Sequence, residues 1–125
     1  MPTLRPFRAC LILPLVLMAL SACSTQIELR TAAQLEQFAR EAASQGDWER
    51  AMRNYAAAAD NAELGHGDAA WQARLHYQAG RAASAACRTD AAAFHFRQAN
   101  ALGKKPDTLT DLESLPVGKP CGVQP

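Results

Sequence analysis

The chain has 125 residues, 49% hydrophobic and 20% charged, with a formal net charge of +1. That length fits one domain. Without Arg5 and Arg8, which precede Cys23, 11 basic residues face 12 acidic ones; a net charge of −1 argues against nucleic acid or polybasic lipid binding as the main business.

Residues 1–22 do not read as domain material. Arg5 and Arg8 form a basic start, residues 9–20 form an apolar run, and a small-residue site follows. This is the layout of a secretory signal peptide. It is too short for a membrane-spanning helix, and Pro14 argues further against one. Leu20-Ser21-Ala22-Cys23 resembles the lipobox of bacterial lipoproteins. The resemblance implies that Ser21 and Ala22 admit the signal peptidase and that the Cys23 thiolate takes a diacylglyceryl group. Cleavage then leaves Cys23 as an acylated N-terminus. Several acyl chains, at roughly 0.8 kcal/mol per buried methylene, anchor a protein stably where one does not. In Gram-negative lipoproteins an Asp after the cysteine retains the protein at the inner membrane, so Ser24 implies the periplasmic face of the outer membrane.

Residues 23–30 are expected to be a lipidated cysteine and a short polar tether, and residues 31–103 an all-α domain of antiparallel helix hairpins. Thr31-Ala32-Ala33-Gln34 reads as a capping box opening a first helix, with Leu35, Phe38, Ala39, Ala42 and Ala43 on its apolar face and Gly46 as its stop. Asp47 caps a second helix, whose stripe is Trp48, Ala51, Met52, Tyr55, Ala58, Ala59 and Ala62. Gly65-His66-Gly67 breaks it. Asp68 caps a third helix, with Trp71, Leu75, Ala79, Ala82, Ala83 and Ala86 inward. Thr89 or Asp90 is expected to cap a fourth, with Ala92, Phe96 and Ala99 inward and Gly103 as its end. Residues 104–125 then hold a short C-terminal helix, in which Leu109, Leu112 and Leu115 share a face, and an irregular tail. No stretch has strand alternation.

Cys10 leaves with the signal and Cys23 carries lipid, so Cys87 and Cys121 remain, with one possible intramolecular pairing in an oxidising periplasm. That bond would tie down the Pro- and Gly-rich tail. Free buried thiols or a metal pair are the competing readings, and two cysteines without a nearby His make a poor metal site.

Gly46-Asp47-Trp48-Glu49-Arg50-Ala51, followed by Tyr55 and Ala58, resembles the middle of a tetratricopeptide repeat, with Ala39 at the other small position and Leu35 and Phe38 upstream. A second, eroded copy has Gly80 at the small position and Ala92, Phe96 and Ala99 as the second-helix triad; Cys87-Arg88-Thr89 replaces the Gly-Asp-aromatic turn. Ala51 and Ala92 are 41 residues apart. The family period is about 34, and the excess is about two helical turns. About two repeats and a C-terminal capping helix are therefore implied. A generic Ala-rich four-helix bundle is the competing fold.

The resemblance implies a groove for a protein or peptide partner, lined by each hairpin's first helix. Its positions carry over to Glu36, Arg40 and Ser44, then to Arg74, Tyr77, Arg81 and Ser84. Arg40 and Arg81 fall at equivalent positions, where two guanidinium forks would suit an acidic peptide or a C-terminal carboxylate; two solvated arginines are the plainer reading. His66 sits in a Gly-flanked turn, His76 at a packing position, and His95 is expected to face outward. Phe94 falls off the core stripe. These residues form no catalytic constellation, so no enzyme, cofactor, metal or small-molecule substrate is expected. The expected role is a lipid-anchored periplasmic scaffold or adaptor serving assembly of an envelope secretion or pilus machine, in the manner of a pilotin. A structural envelope lipoprotein without a groove, or an accessory subunit of an envelope enzyme, are the alternatives.

Overall fold

A computed structural model describes residues 9–103 and Cys121, with side chains from Ser24 onward. The described residues hold four helices, α1 (Ala9–Ser44), α2 (Trp48–Leu64), α3 (Ala69–Ala85) and α4 (Thr89–Ala101), and no strand. Each helix packs on the next along the chain, and the links are three or four residues long. Short links force antiparallel neighbours, so the fold is an all-α stack of helix hairpins. The expected helix at Leu109, Leu112 and Leu115 lies outside the described residues. Among the described residues no helix is long and apolar enough to cross a membrane.

The helices stop in one way. At the first turn the Asp47 amide donates to the Ala42 carbonyl (2.9 Å) and the Gly46 amide to Ala43 (3.0 Å). At the second, Gly67 donates to Ala62 (2.7 Å) and His66 to Glu63 (3.0 Å). At the third, Arg88 donates to Ala83 (2.8 Å) and Cys87 to Ser84 (3.1 Å). This is the Schellman pattern, which needs a residue of positive φ just past the helix end. Gly46 takes φ 75° without a Cβ conflict, whereas His66 (53°) and Cys87 (59°) hold it as non-glycine residues. The first and third turns are thus alike, bond for bond, at a 41-residue offset.

Helix starts are less uniform. Asp47 Oδ1 accepts from the Arg50 amide (3.1 Å), and Asp68 Oδ1 accepts from the Ala70 (2.6 Å) and Trp71 (3.2 Å) amides, as their positions predict. At α4 the cap position belongs to Arg88, and neither Thr89 nor Asp90 serves; both lie inside the helix, and no side chain caps it. Thr31 does not open a helix either. It lies within α1, and its hydroxyl donates to the Ile27 carbonyl (2.9 Å) one turn back. Residues 24–30, expected as a short polar tether, are therefore helical. Leu29 explains why: it packs over the α2–α3 turn, where a Cβ on Gly65 would meet its Cδ2 at 2.8 Å and one on Gly67 at 3.2 Å.

The core is a seam of methyl groups. Ala32, Ala39, Ala51, Ala58, Ala59, Ala62, Ala79 and Ala83 are fully buried, and Leu75 is the single large side chain among those described with less than 2% exposure. Met52 and Tyr55 fill the middle, and Leu35, Trp48, Trp71 and Phe96 pack around it. Small residues let helix axes approach closely. Gly80 extends this, since a Cβ there would stand 2.8 Å from Phe96 Cε1. Two assignments change. Phe38 turns out of the stripe into a surface cleft of about 350 Å³ with Glu41, Ala42, Gln45, Arg50 and Asn54. His95 turns inward: Ala92, His95 and Ala99 form the buried stripe of α4, and Phe96 packs beside it against Gly80. Phe94 is exposed, as its place off the stripe predicts.

At the far end Cys121 meets the α3–α4 turn. Its Sγ lies 2.06 Å from that of Cys87, with Cα atoms 5.4 Å apart and a sequence separation of 34.

Candidate functional site

The face shared by α1 and α3 carries the polar residues singled out above. Glu36 is its hub. Only 7% exposed, it is reached from three sides: Arg40 one turn along α1 forms an ion pair with Oε1, Trp71 Nε1 donates to Oε2 (2.8 Å), and Arg74 Nη2 approaches Oε1 at 3.4 Å. Burial pushes the Glu36 carboxyl up. The hydrogen bonds from Arg40 and Trp71 and the charges of Arg40 and Arg74 outweigh it, and the net shift is below the ordinary 4.5. An ionised carboxylate can be held there because each oxygen has a donor. The same bonds fix α3 against α1.

One and two turns further along α3 the pattern changes. The Tyr77 hydroxyl and the Arg81 Nε are buried and find no hydrogen-bond partner among the described residues. The Tyr77 ring rests on Phe96, with centroids 5.7 Å apart, and Arg81 Nη1 stands 3.5 Å from Gln78 Oε1, at the limit of a hydrogen bond. Tyr55 of α2 lies beneath: burial raises its hydroxyl pKa, and the charges of Arg40, Glu36 and Arg81 all act on it. The face therefore holds three guanidinium groups, one carboxylate and two donors left open. Buried donors without partners are uncommon, because each forfeits its hydration. An acceptor-rich anionic group would fit them.

Glu36, Arg40 and Arg74 are thus brought into one cluster, with Tyr77 and Arg81 continuing it along α3. Arg40 and Arg81 are not twin forks: Arg40 is committed to Glu36, and Arg81 is not. Ser44, one turn beyond Arg40, donates to the Glu41 carbonyl (2.7 Å) at the end of α1. Ser84 is exposed at the end of α3, its carbonyl accepting from the Cys87 amide. Spacing along one helix gives the Glu36–Arg40 pair. Trp71 escaped notice because its apolar body placed it in the core stripe, while its indole N–H is the group that reaches α1.

A second polar pair was also missed. His76 and His95 face each other across α3 and α4, with Nδ1 atoms 3.2 Å apart and ring centroids 5.5 Å apart. The centroid separation exceeds the Nδ1 separation by about the two ring radii, so the Nδ1 atoms point at one another. One ring must donate and the other accept, which requires opposite tautomers. Burial lowers both pKa values from 6.5. Asp60 and Glu63 of α2 work against this at His76, and His76 reinforces it at His95. Phe94 closes on His95 edge-on, centroids 5.1 Å apart.

No family model, curated protein or solved structure matches this chain.

Proposed function

We propose that this protein is a lipid-anchored scaffold of the bacterial periplasm that binds a partner protein through an acidic or carboxylate-ended segment laid on the α1–α3 face. Acylation of Cys23, read from Leu20-Ser21-Ala22-Cys23, supplies the outer-membrane anchor, and tetratricopeptide-like hairpins supply the face. The role is binding, not catalysis, and assembly of an envelope machine is its natural setting. The observation that carries the reading is the pair of buried donors at Tyr77 and Arg81 that have no partner among the described residues, beside a surplus of arginine. A carboxylate accepts from both and is paired by the guanidinium in one contact.

The test is a peptide array with free or amidated C-termini, read against the purified protein. Acidic peptides with a free carboxylate should bind, and Arg81→Glu together with Tyr77→Phe should weaken binding about tenfold or more. Arg40→Glu should matter less, because Glu36 already occupies Arg40. Equal binding by wild type and the Arg81/Tyr77 variant would overturn the reading in favour of a structural envelope lipoprotein.

A further inference from the structure

We infer that the buried His76–His95 pair is a proton-operated release for the α1–α3 face, so that acid loosens its grip on a carboxylate segment. The inference rests on the proposed binding of such a segment at Tyr77 and Arg81, and it adds the regulation of that site.

Two ring pairs join α4 to α3, and they are neighbours on both helices. His76 meets His95 with Nδ1 atoms 3.2 Å apart. The next residue on each helix, Tyr77 and Phe96, forms the second pair, with centroids 5.7 Å apart. The Phe96 ring also fills the notch at Gly80, where a Cβ would stand 2.8 Å from its Cε1 and 2.9 Å from its Cδ1. Tyr77, Gly80 and Arg81 fall at i, i+3 and i+4, on one face of α3. Phe96 therefore supports the tyrosine directly and packs on α3 one residue before the arginine. The spacing of α3 and α4 sets the histidine contact and the seat of the open donors together.

Protons act on that spacing. With neutral rings one Nδ1 donates and the other accepts; a proton on both leaves two N–H groups aimed at each other. Each histidine is only 8% exposed, so the two like charges would meet with little water to screen them. Around the pair, α2 contributes Asp60 and Glu63, while α3 and α4 themselves carry Arg74, Arg81, Asp90 and Arg97. Asp60 and Glu63 favour a proton on His76, and Asp60 favours one on His95. Burial outweighs them, aided at His95 by the charge of His76. The rings thus take protons more readily with the contact open than closed, and opening is favoured as pH falls below about 6.5. Opening withdraws Phe96 from Tyr77 and lets water reach the Tyr77 hydroxyl and Arg81 Nε. Donors already hydrated gain less from a carboxylate.

The test is calorimetric titration of the purified protein with tetraglutamate, whose carboxylates stay ionised above about pH 5.5. Affinity should fall about tenfold between about pH 7.5 and about pH 5.5, an ordinary size for coupled sites. His95→Asn, which keeps an amide near the Nδ1 position, should bind as wild type does at neutral pH and no weaker in acid. A second readout needs no variant: coupling is reciprocal, so saturating tetraglutamate should move the NMR protonation midpoints of His76 and His95 to lower pH. Wild-type affinity that stays flat over this window overturns the release and leaves the face as a binding site. Affinity that rises in acid shows the new charges attracting the peptide through space, and also overturns it. So does a pH dependence that survives in His95→Asn, and so do midpoints unmoved by tetraglutamate. No binding at neutral pH overturns the reading of the face, and its regulation with it.

Discussion

The two hairpins place equivalent residues 41 positions apart and finish them differently. In the first, Gly46 makes the turn, Asp47 caps α2, and Glu36 and Arg40 neutralise each other. In the second, Cys87 makes the turn, Arg88 stands uncapped, and Tyr77 and Arg81 at the positions of Glu36 and Arg40 have buried atoms without partners among the described residues. In the first hairpin the turn, the cap and the Glu36–Arg40 pair are met by local chemistry. The second relies on a covalent tie to Cys121 and on the close approach of Gly80 to Phe96, and it keeps open donors. Function is therefore to be sought on the half whose local needs are least well met.

Five measurements would break or sharpen this contrast. The largest effect is expected from Cys87→Ala with Cys121→Ala, which should lower unfolding free energy by about 3–4 kcal/mol in the chain-entropy view of a loop this long. A loss under about 1 kcal/mol in denaturant titration would show that the second hairpin stands unaided. Next, Gly80→Ala should lower stability by about 1–3 kcal/mol through crowding of Phe96, whereas its counterpart Ala39→Gly should lose about 1 kcal/mol through helix propensity. Glu36→Ala strands the Trp71 N–H and should lose about 1–3 kcal/mol; Glu36→Gln keeps an acceptor and should lose less.

The fourth measurement is stability against pH. His76 and His95 bind protons less readily folded than unfolded, so their contribution is full above about pH 6.5, the unfolded value, and falls as pH drops toward their lowered folded values. Two protonated Nδ1 atoms would face each other, so the second proton should open the α3–α4 contact. Glu36 has the same sign in a lower window, its contribution declining as pH falls below about 4.5. A chemical-denaturation midpoint that stays flat between pH 7 and 5 would contradict the histidine part. The smallest effects lie in the turns. Asp47→Ala should lose about 1 kcal/mol and Arg88→Ala under about 0.5, since only Asp47 holds a backbone amide. His66→Gly should gain about 0.5–1 kcal/mol by relieving a positive φ.

Much of this fold is legible in the sequence because it is written locally. Gly46, Asp47 and Asp68 mark helix ends by backbone chemistry alone, and alanines at helical spacing mark the seam. Errors arise where distant partners decide. Thr31 has the look of a cap, but Leu29 docking on Gly65 keeps the preceding turn helical. His95, between Phe94 and Phe96, reads as outward in sequence, yet His76, 19 residues earlier, supplies the acceptor or donor that lets it turn in. The site divides the same way. Arg74, Tyr77 and Arg81 come from the groove positions that the repeat resemblance implies, while the commitment of Glu36 to Trp71 depends on a contact spanning 35 residues.

The alanine seam has a practical consequence for anyone mapping this molecule by mutation. A conventional scan that trims side chains to alanine leaves Ala39, Ala51, Ala58, Ala59, Ala62, Ala79 and Ala83 untouched, and would report on the centre of the protein only through Met52, Tyr55 and Leu75. Replacement by anything bulkier instead forces backbones apart along the whole interface. Harmful variants here should come from added atoms, and a survey by valine or leucine substitution would find the interior that trimming misses.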